Sequence, residues 1–190
     1  MRALLFAAAL FAAGAAHAEP VRYALDPAHT QVAFSIDRFG FNRVLGLFDQ
    51  VSGEMVIDQA NPANSSVRAT IAIASINTGH DLRNEHLRAE RWLNAERFPT
   101  AEFRSTEVRL TGENTAQVTG ELTLLGQTHP VTLDVTLNQI GPLPNNQRQS
   151  AGFSARGTLS RAAFGSTIGA GAIGDSVSIQ IEALALAPAN

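Results

Sequence analysis

The chain of 190 residues contains no cysteine, no lysine, one tryptophan and one tyrosine. Without cysteine there is no disulfide framework, thiol nucleophile or cysteine-ligated metal, so the fold rests on packing and hydrogen bonds. Without lysine, all 14 basic residues are arginine; against 17 acids they leave a net charge of −3. A mildly acidic chain offers no basic face for phosphate neutralisation, which argues against a nucleic-acid partner. Long hydrophobic runs are also missing, except at the start. There Met1-Arg2 precedes an apolar run from Ala3 to Ala16, shorter than the ~20 residues a membrane span needs. Ala16-His17-Ala18 supplies small residues at the two positions a signal peptidase reads. Residues 1–18 are therefore expected to be a cleaved signal peptide, with an uncleaved anchor as the lesser alternative. Residues 19–190 are expected to form one domain in the periplasm.

What the chain does have is a succession of short segments with apolar residues on one face only. Val32, Phe34 and Ile36 alternate with polar or small neighbours, as do Val67 to Ile73, Val118 to Leu124, Val131 to Leu137, Phe153 to Leu159 and Val177 to Ala183. Val44 to Ile57 reads as a long strand bent at Gly46 and Gly53. With the strand from Phe103 to Leu110 the total is about eight. Between the third and fourth, from Thr78 to Phe98, lies a charged stretch of good helix formers that holds the sole tryptophan and ends before Pro99. The expectation is an all-β protein: an eight-stranded antiparallel barrel with one helical insert, with a two-sheet sandwich as the alternative. The insert can cross the barrel as a lid, turning Leu82, Leu87, Trp92 and Leu93 inward.

A barrel of eight strands is either filled by its own side chains or holds one small ligand. The expected lining mixes large residues (Phe34, Ile71, Leu133, Phe153, Ile179) with small ones (Ala69, Ala155, Gly157, Ala183), and alternation alone leaves both outcomes open.

Several motifs fail on context. Gly169-Ala170-Gly171-Ala172-Ile173-Gly174 has the spacing of a dinucleotide fingerprint, but a strand rather than a helix follows it. His80 and His86 on one helix would point to different faces, a poor metal pair. Gly165-Ser166-Thr167-Ile168-Gly169 has its serine one place early for a nucleophile elbow. Asp26 and His29 read as a hydrogen-bonded turn without an attached nucleophile. No catalytic constellation, metal site or cofactor is expected, and an enzyme is the lesser hypothesis.

Leu25-Asp26-Pro27-Ala28-His29-Thr30-Gln31-Val32-Ala33-Phe34, Gly40-Phe41 through Val44-Leu45-Gly46-Leu47-Phe48, and Ser75-Ile76-Asn77-Thr78-Gly79 form an ordered series. It continues with His86-Leu87-Arg88, Phe98-Pro99-Thr100-Ala101-Glu102-Phe103, Gly120-Glu121-Leu122-Thr123-Leu124-Leu125-Gly126 and Ala163-Phe164-Gly165. In that order the series resembles the YceI-like family across essentially the whole mature chain. The resemblance implies a lipocalin-like barrel, secreted to the periplasm and often dimeric. It also implies a long amphiphile in an apolar tunnel: a polyisoprenoid, a polyprenyl quinone or a fatty-acid derivative. Transient membrane contact and a homodimer are the other partner expectations. The candidate ligand-binding residues are Phe34, Phe39, Phe41, Leu45, Leu47, Ile71, Ile73, Leu87, Trp92, Phe103, Leu122, Leu133, Val135, Phe153, Phe164 and Ile179. Two positions depart from the family pattern, Arg38 where histidine is common and Ala163 where an acid is common; head-group specificity would shift if either touches the ligand. The leading expectation is a non-enzymatic lipid carrier, and the runner-up is a packed barrel that serves as a scaffold for a membrane or redox partner.

Overall fold

One-sided alternation produces the strands β1 (Val21–Leu25), β2 (Gln31–Arg38), β3 (Asn42–Phe48), β4 (Val51–Ile57), β5 (Ser66–Ala72) and β6 (Ile76–Asn77). After the helix α1 (Asp81–Arg88) come β7 (Thr100–Leu110), β8 (Thr115–Leu124), β9 (Gln127–Pro142), β10 (Gln149–Ser160) and β11 (Ile173–Leu186). The computed structural model describes residues 19–189; the expected signal peptide, 1–18, lies outside them.

All pairings between these strands are antiparallel, and the sheet closes on itself. Closure depends on three long strands that are each broken in the middle. β1 and β2 lie end to end along one edge of β11, at Ala24↔Leu186 and from Gln31↔Glu182 to Ile36↔Val177. β4 then pairs with β1 while β3 pairs with β2. β5 pairs with β4 while β6 pairs with β3. Counting each broken pair as one strand gives the expected eight, with α1 between the third and fourth.

The breaks fall at 26–30, 49–50 and 73–75, and their backbone groups are satisfied by β11 at the first and by one another at the other two. Asp26 N–H donates to Leu184 O at 2.8 Å, Gln50 N–H to Ser75 Oγ at 3.1 Å, and Ala72 N–H to Gln50 O at 3.0 Å. Thr30 and Ile73 are buried there, each at 1% exposure. Three details differ from the sequence reading. The short strands β1 and β6 were not expected, and the bend in the second long strand falls at Asp49–Gln50 rather than at Gly46 or Gly53.

The helix is also shorter than expected. α1 covers only Asp81–Arg88, and turns carry the chain on to Pro99. A helix continued to Leu93 would spread Leu82, Leu87 and Trp92 over more than half its circumference at ~100° per residue. Breaking it after Arg88 lets Leu87, Trp92 and Leu93 face the barrel interior while Leu82, 60% exposed, stands at its rim, so packing overrides local propensity.

Outside, the wall is polar. Thr119 faces Thr132 at 2.9 Å, Thr123 faces Thr128 at 2.8 Å and Gln117 donates to Asp134 at 3.0 Å, cross-strand pairs that stabilise each ladder on its wet face.

Candidate functional site

The inward faces do not meet. They enclose a cavity of about 1040 Å³ that runs the length of the barrel, at the upper end of the ~300–1,000 Å³ usual for small-molecule sites. Twelve residues of β10, at ~3.4 Å each and tilted by roughly 40°, give a barrel about 30 Å tall.

Glycine explains why the bore stays open. Gly46 lies directly opposite Phe34, and a Cβ on it would stand 2.3 Å from the ring. A Cβ on Gly120 would stand 2.4 Å from the Phe103 ring, and one on Gly157, opposite Leu133, would stand 2.7 Å from the leucine Cδ2. In each case a large side chain lies down on the neighbouring strand instead of crossing the bore. The large-and-small mixture seen in sequence is thus used to line the wall rather than to fill the centre.

The structure places Phe34, Ile71, Ile73, Leu87, Trp92, Phe103, Leu122, Leu133, Val135, Phe153 and Ile179 on the cavity wall. Five other candidates stand elsewhere. Leu45 is 67% exposed, because Val44 and Phe48 take the inward positions of β3 and period 2 turns Leu45 and Leu47 outward. Phe39 and Phe41 occupy the β2–β3 hairpin tip, Phe41 at 92% exposure. Phe164, in the 3₁₀ turn Ala162–Phe164, is buried edge-on against His129 at 5.1 Å and packs on Val131 and Leu133 from outside the cavity lining. Wall residues absent from the sequence-based set include Met55, Val67, Val108 and Ile181; Ile181 and Val67 carried the same alternation signal as their neighbours.

Polar groups sit mainly at the two ends. The end near α1 and the β2–β3 hairpin presents Arg38, His80, Arg83, His86 and Arg161. Arg161, 8% exposed, is committed to the carbonyls of Gly174, Ser166 and Ile173 at 2.6–3.0 Å, which pins the connection between β10 and β11 as a lip of the mouth. The glycine-rich run 169–174 belongs to that lip and leads into a strand. Asp58, Gln59, Glu113 and Asn114 mark the opposite end, between the β4–β5 and β7–β8 connections. Asp58 is buried at 6% and accepts from Asn61 N–H at 2.8 Å. Midway, the buried Thr30 hydroxyl is spent on Leu184 O.

Two titrations away from the bore have plain causes. Burial pushes the Tyr23 phenol above its ordinary value. The His29 ring, 2.7 Å from the Asp26 carboxylate, holds that carboxyl below its ordinary range against a smaller opposing effect of burial. Among the described residues no group of three or more His, Cys, Asp and Glu gathers as a metal would require.

The model of the YceI-like domain matches residues 23–185. Protein YceI of Escherichia coli O17:K52:H18 is 37% identical over 156 residues, 82% of this chain and 81% of that protein. Among solved structures, Burkholderia cenocepacia BcnA superposes with a TM-score of 0.76 at 27% identity, covering 84% of this chain and 98% of that one. A polyisoprenoid-binding domain from Saccharophagus degradans, implicated in plant cell wall breakdown, shares the fold with a TM-score of 0.68 at 17% identity, covering 88% and 99%.

Proposed function

The chain belongs to the YceI-like family, and from that premise we propose that it is a periplasmic carrier that holds one long single-chain lipid in its barrel. The observation that carries this reading is the continuous apolar tunnel of about 1040 Å³. A polyisoprenoid, a polyprenyl quinone or a fatty-acid derivative has the required form, a narrow hydrocarbon chain with one polar head. At ~0.8 kcal/mol per buried CH₂, fifteen carbons give roughly 12 kcal/mol before the costs of association. Apolarity and shape alone can therefore retain the chain. A solid scaffold has no support in a barrel with so large a bore, and among the described residues the middle of the tunnel is lined by hydrocarbon.

Exchange with a membrane follows from the same reading. Phe39, Phe41, Leu45 and Leu82 are exposed at the α1 end, beside Arg38 and Arg43. Phe39 sits at φ 58, a costly conformation for a bulky residue, in the three-residue connection Phe39-Gly40-Phe41 that leaves both phenylalanines exposed. We assign this tip to transient contact with the bilayer surface.

The test is extraction of the native protein from its periplasmic fraction into organic solvent, followed by mass spectrometry of extract and polypeptide. About one lipid per chain and a polypeptide beginning at Glu19 are expected. A lipid-free protein that takes up none when offered would overturn the carrier reading, and an intact leader would overturn the location.

A further inference from the structure

Charge is distributed unevenly along the tunnel, and we propose that its α1-side mouth is a head-group site for an anion, phosphate or carboxylate, on a lipid whose chain runs down the bore. The inference rests on the lipid-carrier reading and names the class of lipid.

Arg38, His80, Arg83 and His86 face the cavity at this end, whereas the nearby acids Asp37, Asp81 and Glu85 do not. Asp37 is turned to its own hairpin, accepting from Gly40 N–H at 2.9 Å. The ion pairs among the described residues are Arg22–Glu54 and Asp26–His29, so none of the four mouth side chains is paired with a carboxylate; Asp175, at the same lip, accepts from Ala162 N–H at 2.8 Å and stands near Arg161. At the far end the charged groups of the lining are Asp58 and Glu113, with no cation in that part of the lining among the described residues. An anionic head is attracted to one end and repelled from the other. The middle is closed to it as well, because an ion taken from water into hydrocarbon costs several kcal/mol.

Arg83 is set in place in advance. Its Nε donates to Thr78 Oγ1 and its Nη2 to Thr78 O, both at 2.8 Å. Thr78 in turn donates from its hydroxyl and its N–H to Asn84 Oδ1 at 2.7 and 2.8 Å, and Asn84 is buried at 7% exposure. Gly46 admits the Thr78 methyl, which would lie 3.0 Å from a Cβ there. The guanidinium is thus held at the mouth, and its Nη1 has no protein partner among the described residues. Arg38 stands over the Phe39 ring at 4.6 Å. His80 accepts the Arg83 N–H at Nδ1 at 3.4 Å, which leaves the Nε2 edge of the ring for a ligand. Two arginines and an imidazole can give an anion charge-assisted hydrogen bonds that an alcohol does not receive.

The experiment compares geranylgeranyl monophosphate with geranylgeraniol, and hexadecanoate with hexadecanol, on the delipidated mature protein by calorimetry at low and high salt. At least one anion should bind about tenfold or more tighter than its alcohol, a difference of ~1.4 kcal/mol, and the preference should shrink as salt rises. In Arg38→Gln and in Arg83→Gln the anion-to-alcohol ratio should fall several-fold, while Arg38→Lys should retain it. Equal affinity for anion and alcohol in both pairs overturns the head-group site and leaves the carrier reading standing. Failure of all four probes to bind removes both. Inorganic phosphate alone competing as well as the prenyl phosphate would assign the mouth to a free anion and overturn the proposal.

Discussion

Gly46, Gly120 and Gly157 decide whether this barrel has a tunnel, because each gives a large side chain on the next strand a place against the wall. Their contacts differ in kind. A Cβ at Gly120 would also meet the Arg104 carbonyl at 2.5 Å, so substitution there would strain the backbone. At Gly46 the obstacles are side-chain atoms of Phe34 and Thr78, and a methyl would drive the Phe34 ring into the bore. Gly46→Ala should cost about 1–3 kcal/mol, as overpacking does, and should weaken binding of a long-chain lipid by roughly tenfold in a folded protein. Thermal denaturation and a lipid titration would check this; full affinity in the variant would show that the ring does not limit the bore. The same stretch shows what the sequence hides. In Val44-Leu45-Gly46-Leu47-Phe48 both parities are apolar, so alternation cannot say which face looks inward. Pairing of Phe34 with Gly46 settles it in favour of Val44 and Phe48 and turns Leu45 and Leu47 outward. Where one parity was polar, as from Val131 to Leu137, the wall residues were legible directly.

Elements were legible in kind and less so in extent. A charged, tryptophan-bearing stretch announces a helix, but only tertiary packing could end it at Arg88, since nothing in Ala89-Glu90-Arg91 forbids continuation. The breaks at 49–50 and 73–75 are equally silent, because hydrogen bonds between them fix them rather than any local turn signal; the first, at Asp26-Pro27, was legible as a turn, which Ala28 N–H closes on Asp26 Oδ1 at 3.0 Å. The β8–β9 hairpin was clear in advance, and its turn shows why. Leu125 at φ 54 and Gly126 at φ 74 form the two-residue turn with both φ positive that matches strand twist. Gly126 also faces the Phe98 ring, which a Cβ would approach to 2.9 Å; this ties the turn to the end of the segment bordering the mouth. Gly126→Ala should therefore destabilise by about 1–2 kcal/mol from left-handed backbone strain alone. For a domain of this size that lowers the melting temperature by roughly 3–7 °C. An unchanged melting temperature in calorimetry would mean that the turn relaxes without cost.

At the scale of the whole molecule, the barrel is a membrane barrel turned inside out. Its outer ladders carry threonine, glutamine and aspartate pairs where a transmembrane barrel would present an apolar band to lipid. Its hydrocarbon faces inward, and among the described residues no helix is long and apolar enough to cross a bilayer. Closure was legible because eight one-faced strands and a single helix leave no second layer to cover the apolar faces; openness was not, since it depends on where rings lie. On the proposed carrier reading, lipid enters where the mouth meets a membrane, and the exposed Phe41 stands at that end. Loading from vesicles should therefore be slower by several-fold in Phe41→Ser than in the unaltered chain, while the amount bound at equilibrium should stay the same. Trp92, on the tunnel wall, supplies the signal: its fluorescence should shift as lipid enters. Loading should also raise the melting temperature. A ligand at a hundred times its dissociation constant adds about 2.7 kcal/mol, roughly 5–11 °C here. Light scattering of the free protein gives the competing outcome, because a dimer that buries the hairpin tip would hide Phe41 and make the substitution change oligomeric state instead of uptake. Equal loading rates in monomeric variant and parent would remove the tip from the route by which lipid enters.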